Sequence, residues 1–126
     1  MQCVVVTPEK TELRSEADSI VVPLFDGQLG VLKGRAPMIG RLGFGLMKLQ
    51  TGGQEKEYFV DGGFVRVTRD AVYILTDRLL DPASIDAKKA EDDLQKALTL
   101  PATSPELMQA RDRAVAQARA KARFGK

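Results

Sequence analysis

The chain has 126 residues and a formal net charge of +2, with 44% hydrophobic and 29% charged residues; this is the profile of one folded domain with at most a short appended element, not of a disordered tail. With 1 cysteine and no histidine, an internal disulfide, imidazole general bases, Ser-His-Asp nucleophiles and zinc sites are all excluded, so no metal site is expected. The small net charge does not imply nucleic acid, and the lack of tryptophan leaves paired carboxylates without an aromatic cleft.

From Met1 the chain reads straight into a β-type run, without a basic or apolar leader and without an Arg-rich transit segment, so a chain that begins at its mature end is expected. Cys3 stands among β-branched residues, where a buried, inert thiol is expected. Val4 to Val6 stop at Pro8, and Ile20 to Leu24 stop at Asp26-Gly27, a hairpin signal. Met47 to Gln50 lead into Gly52-Gly53, and the chain returns through Glu57 to Val60. Gly62-Gly63 suggest a bulge or a close backbone approach before Phe64 to Thr68, and the turn Arg69-Asp70 leads into Ala71 to Thr76. This is the grammar of an antiparallel sandwich or barrel of about seven to ten short strands. The run Val72, Tyr73, Ile74, Leu75 puts bulky groups on both strand faces. Two explanations stay open, an outer face covered by another chain and a strand buried within this fold.

After Asp81-Pro82 the pattern turns helical. Asp81 as N-cap with Pro82 at the first position, or Ser84 one turn later, starts a helix that runs to about Leu98. Thr99 to Pro105 break it, and Ser104 caps a second helix whose Met108, Ala110, Ala114, Val115, Ala118 and Ala122 form a narrow stripe of mostly small side chains. No stretch approaches the roughly 18–20 apolar residues of a membrane-spanning helix.

The segment Asp26-Gly27-Gln28-Leu29-Gly30-Val31-Leu32-Lys33-Gly34-Arg35-Ala36-Pro37 resembles the Gly-Glu-Leu-Gly-Val-Leu-Pro-Gly-His-Ala-Pro signature of the epsilon subunits of bacterial F-type ATP synthases, which correspond to mitochondrial delta. Tyr58 to Val67 resemble that family's second signature, and Ile85-Asp86-Ala87-Lys88-Lys89-Ala90 a third. The resemblance covers essentially the whole chain in order. It implies an α+β chain: an N-terminal antiparallel β-sandwich of about ten short strands, residues 1–81, then a C-terminal antiparallel two-helix hairpin, residues 82–126. It also implies a non-catalytic rotor subunit of the F1 central stalk, peripheral on the cytoplasmic face of the bacterial inner membrane. The sandwich would meet the gamma subunit and the c-subunit ring, coupling proton flow to ATP synthesis in the alpha and beta head, and the hairpin would inhibit ATP hydrolysis.

By the same resemblance, Gln28, Leu29, Gly30 and Arg35 fall in the gamma and c-ring contact region, where turn chemistry alone is the competing explanation. Arg111, Arg113, Arg119, Lys121, Arg123 and Lys126 make the second helix and its end a basic, regulatory element, with complementary charge on the beta subunits, where a solvated helix face is the competing explanation. Some relatives bind ATP through an Ile/Leu-Asp-x-x-Arg-Ala motif. Here Ile85, Asp86 and Ala90 match and Lys89 replaces the arginine, supplying a point charge without the planar fork. No resident cofactor is expected. A weak regulatory ATP site, which would make the chain a free-standing ATP sensor, stands beside the simpler reading that Asp86 complements a helix dipole. The basic end lacks interleaved aromatics, so no nucleic-acid partner is expected.

Overall fold

A computed structural model describes residues 1–124 of the chain. It divides into a unit Met1–Asp81 and a second unit beginning at Pro82. The first contains strands β1 (Gln2–Val6), β2 (Thr11–Glu16), β3 (Ser19–Leu24), β4 (Gly27–Leu32), β5 (Met38–Thr51), β6 (Gln54–Val67), β7 (Ala71–Leu75) and β8 (Leu79–Leu80). They form one 8-stranded hydrogen-bonded path in the order β2-β1-β7-β6-β5-β3-β4, with β8 on β6. Alternate residues point to opposite faces, and the inward ones from both ends of the path share one core: Cys3 and Val5, Ile20 and Val22, Val31, Met47 and Leu49, Val65 and Val67, Val72 and Ile74. The path is therefore curled on itself as a sandwich. Each fully buried large side chain, such as Ile20 or Phe59, contributes about 1.5–3 kcal/mol.

Two features depart from the expected antiparallel sandwich of about ten short strands. There are fewer, longer strands, because β5 and β6 run 14 residues each and absorb segments that read as separate strands in the sequence. One pair, β1 with β7, is parallel, from Gln2↔Ala71 to Val6↔Leu75. A tight hairpin forces antiparallel pairing only on strands that it joins directly, and nearly the whole unit separates these two.

Gly63 has φ +111, and a Cβ there would overlap the Leu75 carbonyl oxygen. This is the close backbone approach expected at Gly62-Gly63. At this point β6 changes neighbour, pairing with β8 at Phe59 and Val60 but with β7 from Phe64 to Val67. The buried Asp61 sits just before it, its backbone N–H donating to Thr76 Oγ1 at 3.0 Å.

In the second unit a 3₁₀ turn at Pro82–Ser84 precedes α1 (Ala87–Leu98). The α-helix thus starts later than either expected cap: Asp86, rather than Asp81 or Ser84, accepts from the backbone N–H of Lys88 and Lys89. Residues 82–84 make only the tighter 3₁₀ turn, and the α-helical bonds begin after Asp86, with Ala90 N–H donating to the Asp86 carbonyl at 2.9 Å. Helix α2 (Pro105–Phe124) starts at the expected cap, Ser104, whose Oγ accepts from Leu107 N–H at 3.2 Å. The helices pack against each other as a hairpin, α1 burying Ala90, Leu94 and Ala97. In α2 the stripe is covered at Ala114, Val115, Ala118 and Ala122, while Met108 and Ala110 are exposed.

Candidate functional site

The segment Gln28 to Gly30 is a strand, not a loop. It lies on β4, an edge of the sheet, paired among the described residues only with β3 through Pro23↔Gln28, Val22↔Leu29 and Val21↔Gly30. Alternation turns Leu29 into the core at 9% exposure and leaves Gln28 and Gly30 outside. Arg35 folds back so that Nη1 donates to the Gly30 carbonyl at 3.3 Å. The structure thus gathers Gly30 and Arg35 at one exposed edge, with Gln28 on the same strand. Turn chemistry explains Gly34, with φ +89, but not Gly30, which has ordinary extended backbone and open space where a Cβ would stand.

On α2, Arg113, Arg119 and Arg123 are exposed and Arg111 and Lys121 half-buried, while Lys126 lies outside the described residues. Arg111 pairs with its neighbour Asp112 at 3.4 Å, and the Arg123 guanidinium lies 5.1 Å from the Phe124 ring centroid. Of the four motif residues at the hairpin's start, Ile85 and Ala90 are buried and Asp86 and Lys89 exposed. The Asp86 carboxylate caps α1, a fixed local role for the acidic member of the motif.

A further surface is legible only in three dimensions. On the outward side of β5, β6 and β7 the register aligns Ile39↔Arg66↔Tyr73 in one row and Arg41↔Phe64↔Leu75 in the next. Ile39 is 74% exposed, Phe64 57% and Leu75 49%, and Phe25 beside them is 70% exposed. The Arg41 guanidinium stacks over the Phe25 ring at 4.7 Å. Val6, Arg66, Thr68, Tyr73 and Leu75 line a shallow depression of about 330 Å³. The run Val72 to Leu75 carried the signal: Val72 and Ile74 enter the core, whereas Tyr73 and Leu75 remain outside. Ile39, Arg41, Phe64 and Arg66 gave no such signal, because only the register brings them together.

The chemistry of these surfaces is that of contact rather than turnover. Burial pushes the Cys3 thiol up to about 12, so at neutral pH it is a protonated core group. Among the described residues no cluster of His, Cys, Asp or Glu could hold a metal ion, and no helix is long and apolar enough to cross a membrane.

Residues 1–82 match the family model described as ATP synthase, Delta/Epsilon chain, beta-sandwich domain. An ATP synthase epsilon chain of Rhodopirellula baltica is 50% identical, over 98% of this chain and 96% of that protein. A sodium-ion-specific ATP synthase epsilon chain of Propionigenium modestum is 33% identical over 74% of this chain and 68% of its own. In fold, the chain is similar to one in the Euglena gracilis mitochondrial ATP synthase OSCP/F1/c-ring structure, with TM-score 0.80, 21% identity and coverage of 93% of this chain and 76% of that one. It is also similar to one in the Tetrahymena thermophila mitochondrial central stalk and c-ring structure, with TM-score 0.74, 16% identity and coverage of 100% and 96%. With a matching sandwich and a relative aligned over nearly its full length, the chain belongs to the ATP synthase delta/epsilon chain family.

Proposed function

We propose that the chain is a non-catalytic subunit of the central stalk of an F-type ATP synthase, linking ion flow through the membrane sector to ATP synthesis in the head. The observation that carries this reading is the 50% identity with an ATP synthase epsilon chain over 98% of this chain, sandwich and hairpin together. The sandwich docks on the gamma subunit and the c-subunit ring, with Gln28, Gly30 and Arg35 on the exposed β4 edge as the ring-facing group. The hairpin regulates. Its basic helix, with Arg113, Arg119 and Arg123 exposed, suits an acidic surface on the beta subunits and lowers ATP hydrolysis when it engages them. The subunit sits peripherally on the cytoplasmic face of the bacterial inner membrane, held there by the complex.

Co-purification tests the docking half. The full chain and a version ending at Asp81 are both expected to remain with gamma and the alpha and beta subunits of the same organism through size exclusion. Loss of both from the complex would overturn the assignment.

A further inference from the structure

Two Asp-Gly pairs occur in the sequence, Asp26-Gly27 and Asp61-Gly62, and the fold treats them in opposite ways. Asp61 pairs with Phe44 in the ladder of β5 and β6, is 3% exposed, and its backbone N–H donates to Thr76 Oγ1 at 3.0 Å. Asp26 is exposed and forms, with Phe25, the two-residue loop that joins β3 to β4. Gly27, also exposed and at φ +146, makes the terminal rung of that hairpin with Leu24 on the edge strand β4, and a Cβ there would stand in open space. The Asp26 carboxylate makes no hydrogen bond or ion pair among the described residues.

The carboxyl carbon of an aspartate lies within reach of the backbone nitrogen of the next residue, and the two close a five-membered ring wherever the chain around them can turn. Glycine in the following position removes the side chain that would obstruct the approach and widens the backbone angles open to the pair. Ring closure requires the nitrogen to leave its rung and the aspartate to rotate. Both motions need little free energy at the end of an edge strand, where local opening is easiest. At Asp61 the same motion would break a ladder inside the sheet and expose a buried residue. Asp18, which precedes Ser19, and Asp86, which precedes Ala87, each have a carboxylate bound by backbone N–H groups, the first by Gly52 at 3.0 Å and the second by Lys88 and Lys89. Asp26 combines the glycine, the exposure and the unbound carboxylate.

We propose that Asp26-Gly27 is a site of spontaneous covalent modification, at which the folded chain converts aspartate to isoaspartate. The Gly27 nitrogen bonds to Asp26 Cγ, the Cγ–OH bond breaks, and the nitrogen's proton leaves with that hydroxyl as water. Water then adds back to the succinimide. Cleavage at the former backbone carbonyl of Asp26 leaves the chain linked through Cγ, whereas cleavage at Cγ restores aspartate; one water is lost and one regained, with no change of oxidation state. The isoaspartyl link adds a methylene to the backbone of the loop. Because the length of a hairpin loop sets the register of its strands, the longer link disturbs the rung Leu24↔Gly27 and displaces Phe25, whose ring lies under the Arg41 guanidinium at 4.7 Å.

The test incubates the full chain at neutral pH, folded in buffer and unfolded in urea, and maps isoaspartate by enzymatic methyl transfer from labelled S-adenosylmethionine followed by peptide separation. In the folded chain isoaspartate is expected at Asp26 at roughly tenfold or more its level at Asp61, and in urea at both positions. Asp26→Glu, which would have to close a larger ring, is expected to abolish the signal at this position. Asp26→Asn, which reaches the same succinimide with ammonia as the leaving group, is expected to accelerate it. Unchanged thermal unfolding verifies that both variants keep the fold. Equal accumulation at the two pairs in the folded chain, or none at Asp26 over a period in which the unfolded chain modifies both, would overturn the proposal.

Discussion

Asp86 Oδ1 accepts a hydrogen bond from the backbone N–H of Lys89 at 3.2 Å, and another from Lys88 at 3.0 Å, closing the first turn of α1. The carboxylate that would mark an ATP site therefore has a structural task. Asparagine caps as well as aspartate does, so Asp86→Asn is expected to preserve the helicity of α1, whereas Asp86→Ala is expected to cost about 1 kcal/mol of hairpin stability. Circular dichroism melts compare the two. Titrating ATP against the same variants separates the roles: any ATP affinity that depends on the charge disappears in Asp86→Asn while the cap survives.

Gly63→Ala is expected to destabilise the sandwich by about 2–4 kcal/mol, because the added methyl meets the Leu75 backbone and the φ of +111 disfavours any side chain. Gly30→Ala is expected to leave stability unchanged within about 0.5 kcal/mol, since nothing lies within 4 Å of the added atom. Urea midpoints check both. A loss of complex assembly in Gly30→Ala without a loss of stability would mark that edge as a contact surface.

Cys3 gives the sandwich a pH limit. Its thiol, held at about 12 instead of the usual 9.0 by burial, keeps in the folded state a proton that the unfolded chain releases. The associated stability is fully present below pH 9.0 and is lost as pH rises toward about 12. Between pH 8 and pH 11, the urea midpoint of wild type is expected to fall further than that of Cys3→Ala. Equal falls would place the effect on other groups.

The basic helix is expected to act through charge. Replacing the exposed Arg119 and Arg123 with glutamate should weaken inhibition of ATP hydrolysis by about three- to tenfold at low salt and by less at high salt. Inhibition curves at two salt concentrations measure it.

Local chemistry was legible in the sequence wherever it acts over a few residues. The Ser104-Pro105 start of α2, the close approach at Gly62-Gly63 and the burial of Cys3 follow from capping, glycine sterics and β-branched neighbours. The start of α1 was misplaced because Asp81, Ser84 and Asp86 all offer a capping oxygen, and propensity does not rank them. The parallel pairing of β1 with β7 and the alignment of Arg66 with Ile39 and Tyr73 depend on register between distant strands, which no short pattern encodes. The same limit applied at Leu29, which sits in a recognisable motif yet faces the core because alternation on β4 puts it there.

The division of labour between sandwich and hairpin is tested most directly by ATP hydrolysis of an α3β3γ complex from the same organism, titrated with the full chain or with residues 1–81. Both are expected to bind the complex, with inhibition by the full chain alone. Equal inhibition by the two, or failure of either to bind, would contradict a docking sandwich that carries a separate regulatory hairpin.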